Sequence, residues 1–163
     1  MTHPAPATLN LRVVEARSLN PLIRMLRLAA ADGAALPAYS AGAHIRVQVK
    51  LADGQQDWRH YSLINTSPRM DATDVPTEYL ISVRREDGGR GGSRSMHEGL
   101  QAGDGVLIEA PKNDFPVHAG APRAVLIAGG IGVTPLVGMA GRRKAEGAPG
   151  RMDHAGRRRG PGG

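Results

Sequence analysis

Cysteine does not occur in the 163 residues. Its absence excludes disulfides, thiolate zinc sites, a cysteine nucleophile and a cysteine-held iron–sulfur cluster from this chain. It also fits a reducing compartment, so a cytoplasmic location is the expectation. Aromatic residues are scarce at 3%, with one Trp, three Tyr and one Phe, and each therefore asks for a reason. Long apolar runs are lacking as well. The longest uncharged stretch, residues 124–141, is broken by five glycines and Pro135, which reads as a buried strand and a turn and argues against a membrane span. The opening MTHPAPATLN has neither a basic segment nor an apolar core, so no secretory signal is expected there. The six histidines are scattered without metal-ligand spacing; His44 and His60 alone are placed to meet across neighbouring strands, in a structural role.

Glycine and proline, by contrast, are abundant at 22 and 12 residues, which points to many turns or a loose segment. Charge is unevenly spread. Residues 141–163 hold seven of the 21 Lys and Arg but only two of the 15 acids, leaving net +5 there and +1 in the rest. The tail is also rich in glycine, and Met152 is its one large apolar side chain. Such a segment buries too little surface to offset its ordering entropy, so residues 142–163 are expected to be a disordered basic tail. A nucleic-acid or membrane contact through its arginines is the weaker reading, because no stacking aromatics interleave with the basic run. No nucleic-acid or membrane partner is expected.

The body alternates in the manner of strands. LNLRVVEA (9–16), IRMLRLAA (23–30), HIRVQVK (44–50), WRHYSLINTSP (58–68), EYLISVRRE (78–86) and GDGVLIEAP (103–111) are six short strand candidates. In HIRVQVK, Ile45, Val47 and Val49 share one face. Six strands at this spacing, broken by Gly and Pro, predict an antiparallel barrel or sandwich. SRSMHEGL (93–100) reads as a short helix with Ser93 as its N-cap. Asn113, Asp114 and Phe115 before Pro116 read as a turn with one buried ring.

Three places carry chemistry. In RHYS, strand spacing sets Arg59 and Tyr61 on one face, with His60 and Ser62 on the other. A guanidinium pairs bidentately with phosphate and a phenol ring lies along a flat π-system, although a surface Arg beside a half-buried Tyr in an ordinary strand gives the same residues. In EDGGRGGSRS (86–95), glycines and a helix start offer backbone N–H groups to an anion; a flexible hairpin connection is the alternative, and no Walker lysine follows. In AVLIAGGIGVTP, a strand, a glycine turn and a helix follow one another, with Thr134 suited to the N-cap and Pro135 to the first helical position. The spacing from Gly130 reads G-x-G-x-x-P, which fails the dinucleotide fingerprint at its third glycine.

Taken together and in order, RHYSLINTSP, LISVRREDGGRGGS, APKNDFPV and VLIAGGIGVTP resemble the ferredoxin-reductase-like flavoproteins. The nearest branch is the reductase components of aromatic-ring oxygenases, of the phthalate dioxygenase reductase and vanillate demethylase reductase type. PAYSAGAHIRV (37–47) resembles the segment that precedes their flavin strand, and the resemblance runs from about residue 9 to 140.

The resemblance implies a six-stranded antiparallel flavin-binding barrel over 1–120, followed over 121–141 by the first strand and helix of an α/β nucleotide-binding domain. It implies Arg59 on the flavin phosphate, Tyr61 against the isoalloxazine ring and Ser62 near its reactive nitrogen. Ser82, Val83 and Arg84 would line the flavin, and Gly91, Gly92 and Ser93 would form the phosphate loop. Gly130, Gly132, Thr134 and Pro135 would open the pyridine-nucleotide side, with Thr134 near the flavin–nicotinamide contact. The implied cofactor is FMN, with FAD as the alternative. The implied donor is NAD(P)H, and the implied acceptor is an oxygenase or iron–sulfur protein. None of these residues is implied as a general acid or base.

The departures from the family are equally plain. Its nucleotide domain continues through more strands and helices, and its [2Fe–2S] domain needs four cysteines. Gly141 and Gly150 stand where helix-forming or apolar residues are expected, and glycine costs about 1 kcal/mol per helix position relative to Ala. The expectation is a truncated reductase with impaired nucleotide binding, or a non-enzymatic remnant that binds flavin weakly or not at all.

Overall fold

The computed structural model describes residues 6–64, 75–117, 126–128 and 130–147. Six strands form one sheet: β1 (Thr8–Asn20), β2 (Ile23–Ala30), β3 (His44–Lys50), β4 (Gln56–Ser62), β5 (Glu78–Arg84) and β6 (Gly105–Lys112). Their order is β4-β3-β6-β1-β2-β5, and every pairing is antiparallel. The edge strands β4 and β5 share no ladder. They meet where the Ile64 N–H donates to the Leu80 carbonyl at 2.8 Å, just past the end of β4. The sheet therefore curls like a barrel without closing.

Alternation builds the core. Ile45, Val47 and Val49 of β3 point inward, as do Tyr79, Ile81 and Val83 of β5, and all are nearly free of solvent contact. Leu26 and Leu28 of β2, Val13 of β1 and Ile108 of β6 complete the interior. The Tyr79 ring meets Tyr39 edge-on at 5.6 Å, and its hydroxyl donates to the Pro37 carbonyl at 2.6 Å. This bond lets a phenol sit in an apolar core without an orphaned polar group. Two of the five aromatic residues are thus accounted for by packing.

Helix α1 (Gly92–Gly99) buries Met96 against the sheet. It starts earlier than Ser93 would set it, because Gly91 takes the N-cap position with φ 92°, a left-handed conformation that glycine adopts without steric cost. The far end of α1 is tied down twice. The buried Arg24 guanidinium donates to the His97 carbonyl, and the His97 ring bonds the Val83 carbonyl at 2.8 Å.

A 3-10 turn (Gly130–Gly132) leads into α2 (Val133–Ala145). Thr134 and Pro135 lie inside this helix, not at its cap and first position. Gly132 is the cap, and the Thr134 hydroxyl donates back to the Ile131 carbonyl at 3.0 Å. Leu136 and Met139 seat α2 on Ala41, in a small apolar cluster separate from the main core. The helix runs through Arg142, Arg143 and Lys144, which the sequence pattern assigned to the tail; residues 148–163 lie outside the described residues. Residues 126–128 are described and carry no strand; the chain before them is outside the described residues. A parallel strand needs neighbours to pair with, and none is present among the described residues. The end of the WRHYSLINTSP segment, from Asn65 on, also lies outside them.

The turn before Pro116 corrects one further expectation. Asn113 anchors it by donating to Ser40 Oγ at 2.6 Å and to the Ala41 carbonyl at 3.0 Å, but the Phe115 ring is 58% exposed. The turn is held by the amide, so the ring is free to face solvent.

Removing the Tyr79 hydroxyl leaves the Pro37 carbonyl without its buried donor. Tyr79→Phe is expected to lower stability by about 1 kcal/mol, read as a lower urea midpoint with unchanged slope. An unchanged midpoint contradicts the role given to this bond.

Candidate functional site

The candidate site forms where the free edge of β4, the end of β5, the start of α1 and the start of α2 come together. They enclose a cavity of about 450 Å³. Arg59, Tyr61 and Ser62 line one side, Ser82 and Arg84 another. Gly91, Gly92 and Ser93 close one end, and Gly132, Thr134 and Pro135 close the wall opposite. Four consecutive residues of β4, His60 included, reach the cavity because β4 is an edge strand whose free side borders it.

One expected residue does not present its side chain to the wall. Val83 turns its side chain fully into the core, as strand alternation requires when Ser82 and Arg84 face the cavity. Its carbonyl is taken by His97. Gly130 opens the 3-10 turn that leads to Gly132. The sequence reading missed Glu86, Arg90 and Ile131, which do line the cavity, and Asp57, which sits behind Arg59. A signal for Arg90 existed in the sequence: it is the one cation between two glycine pairs.

The end of the cavity at α1 is built for an anion. Gly92 packs so closely that a Cβ there would lie 2.9 Å from Val49 Cγ2 and 3.5 Å from Arg59 Nε. The first intrahelical bond, from the Ser95 N–H to the Gly91 carbonyl, leaves the preceding amides outside the helical ladder. No side chain caps them, and the first turn carries no acid. Ser93 Oγ accepts from the Glu86 N–H at 3.0 Å, which leaves its own proton to donate. Helix start, hydroxyl and guanidinium together suit a phosphate.

Tyr61 offers a flat aromatic ring to the cavity. Burial, partly opposed by the Arg59 charge, pushes its pKa up to about 12, so the phenol stays neutral and keeps its proton at physiological pH. Arg59 Nη1 donates to Asp57 Oδ2 at 2.6 Å and to the Trp58 carbonyl at 3.0 Å. Bonding from Arg59, then from the Trp58 N–H, holds the Asp57 carboxyl below the usual range, so it stays ionised. At the side of the site the His44 and His60 rings lie 4.9 Å apart, and burial followed by the His60 charge lowers the pKa of His44. Among the described residues no cluster is placed to hold a metal ion, and no helix is long and apolar enough to cross a membrane.

No family model matches the chain. Individual proteins do. It is 40% identical over 131 residues to a vanillate O-demethylase oxidoreductase of Acinetobacter baylyi, covering 80% of this chain and 38% of that one. Among solved structures it superposes on phthalate dioxygenase reductase, described as a modular structure for electron transfer from pyridine nucleotides to [2Fe–2S]. That match has a TM-score of 0.73 at 35% identity, covering 86% of this chain and 41% of the other. It also superposes on the flavohem-like FAD/NAD-binding domain of nitric oxide dioxygenase from Vibrio cholerae, with a TM-score of 0.69 at 29% identity, covering 84% and 57%. The chain spans about two fifths of the length of the curated relatives it matches.

Burial raises the pKa of Tyr39 as it does that of Tyr61, both to about 12, and raises that of Tyr79 further. These are the only three tyrosines. Each is protonated more readily folded than unfolded, so this part of the stability is complete below pH ~10 and is lost as pH rises through the folded values. Tyrosinate absorbance is expected to stay flat through pH ~10 and to rise together with alkaline unfolding. Titration of one phenol near pH 10 in folded protein contradicts this.

Proposed function

Because the chain belongs to the ferredoxin-reductase-like family of oxygenase reductases, we propose that it binds a flavin, FMN in preference to FAD, as the flavin-holding part of a reductase. In this reading the reductase draws electrons from NAD(P)H and passes them to an oxygenase or iron–sulfur partner in the cytoplasm. One observation carries it: a guanidinium, an uncapped helix start and a half-buried neutral phenol converge on a single cavity. The choice of FMN rests on the branch of the family that the motifs resemble.

Bound flavin supplies a ring that accepts a hydride and gives up its electrons one at a time. The chain's residues bind and orient it. Arg59 and the amides and hydroxyl at Gly92–Ser93 hold the phosphate. The Tyr61 phenol would flank the ring and shield it from water. Ser62 would offer a hydroxyl to the ring's polar edge. Thr134 and Pro135, on the wall opposite, border the side from which a nicotinamide approaches.

Titrating FMN into the purified chain is expected to quench its fluorescence and perturb its visible spectrum. Arg59→Gln is expected to weaken FMN binding by about tenfold or more through loss of a charge-assisted bond. A folded chain that leaves the spectra of both FMN and FAD unchanged overturns the proposal.

A further inference from the structure

Two arginines at the phosphate end share one carboxylate. Asp57 Oδ2 lies 2.6 Å from Arg59 Nη1 and 3.3 Å from Arg90 Nη1. Arg59 belongs to β4, whereas Arg90 sits in the glycine-rich loop before α1. That loop is docked independently, since the Ala52 N–H donates to the Arg90 carbonyl at 3.2 Å. Both arginines line the cavity. Both hydrogen bonds of Arg59 among the described residues use Nη1, which leaves its other edge, Nε and Nη2, open to a ligand. Arg90 is two-thirds exposed, with a side-chain exposure of 66%, so an exposed ion pair alone gives little reason for its position.

We propose that Asp57 and Arg90 set the charge selectivity of the phosphate end: Asp57 holds both arginines through one oxygen, and a doubly charged terminal phosphate competes with it for them. The carboxylate cancels one of the two guanidinium charges. What remains is about one positive charge together with the partial charge of the helix start. A phosphate dianion still gains by entering this field. A flavin lacking the phosphate gains nothing from it. Asp57 is thus a specificity-determining residue that acts through Arg59 and Arg90, and Arg90 is a second phosphate contact delivered by the loop.

The inference rests on the flavin reading above, and binding constants for FMN and riboflavin separate the two. The neutral isostere Asp57→Asn keeps an acceptor for the arginines but removes the competing charge. It is expected to tighten FMN about tenfold and to leave riboflavin within about twofold. Arg90→Gln, at an exposed position, is expected to weaken FMN severalfold without moving riboflavin. A merely structural role would move both ligands together, and that result overturns the inference. Unchanged FMN affinity in Arg90→Gln overturns it as well, whatever the folding of Asp57→Asn. If the unaltered chain binds neither ligand, the flavin reading falls and this inference with it. If it binds FMN but the FMN-to-riboflavin ratio is the same in every variant, this inference alone falls.

Discussion

The site depends on how closely the first residues of α1 lie against the edge of the sheet. Gly92 has Val49 on one side and Arg59 on the other, and a Cβ there would lie 2.9 Å from Val49 Cγ2, so the valine would have to shift. Gly91 makes the approach possible by taking a left-handed conformation and by packing on Ala52, where a Cβ would lie 2.9 Å from the backbone nitrogen. The same step that starts the helix therefore sets its uncapped amides beside a guanidinium. A side chain at Gly91 would meet the Ala52 backbone and strain a left-handed conformation, and so disturb this approach even if every charged residue remained.

The rest of the molecule keeps that step in place. Arg24 is buried near the other end of α1, where a cation complements the helix dipole, and His97 adds a second tie to β5. The short helix is thus anchored at its C-terminus and left open at its N-terminus. The sheet contributes by not closing. Because β4 and β5 share no ladder among the described residues, the residues at the end of β4 border a cavity. The apolar cluster of Ala41, Leu136 and Met139 then brings α2 across as the opposite wall.

Much of this was legible in the sequence. The clean alternation in HIRVQVK and EYLISVR located β3 and β5 and their inward faces, because each strand has one buried side. Arg59, Tyr61, Ser62 and the glycine loop were legible because their residue types, in order, resemble a flavoprotein pattern. Helix caps were not. Ser93 and Thr134 are good capping residues by type, yet Gly91 and Gly132 hold those positions, since close packing and the preceding 3-10 turn decide where each helix begins. Val83 was placed in the wall with its neighbours, although alternation alone sends it to the core. Phe115 was expected to be buried because it is apolar, but the Asn113 amide holds the turn without it. Asp57 was not legible because its contact with Arg90 joins residues 33 positions apart.

The most direct test of the account is the ionisation of the phosphate itself. Phosphorus NMR of FMN bound to this chain, followed from about pH 8 down to pH 5, reads the protonation of the phosphate while it sits in the site. Free phosphate monoesters take up their second proton near pH ~6. An anion held by Arg59, Arg90 and the uncapped start of α1 stays doubly charged well below that value. A bound phosphate that titrates as it does in free FMN would place it in solvent, and would contradict the claim that the junction of α1 and the sheet edge is its binding site.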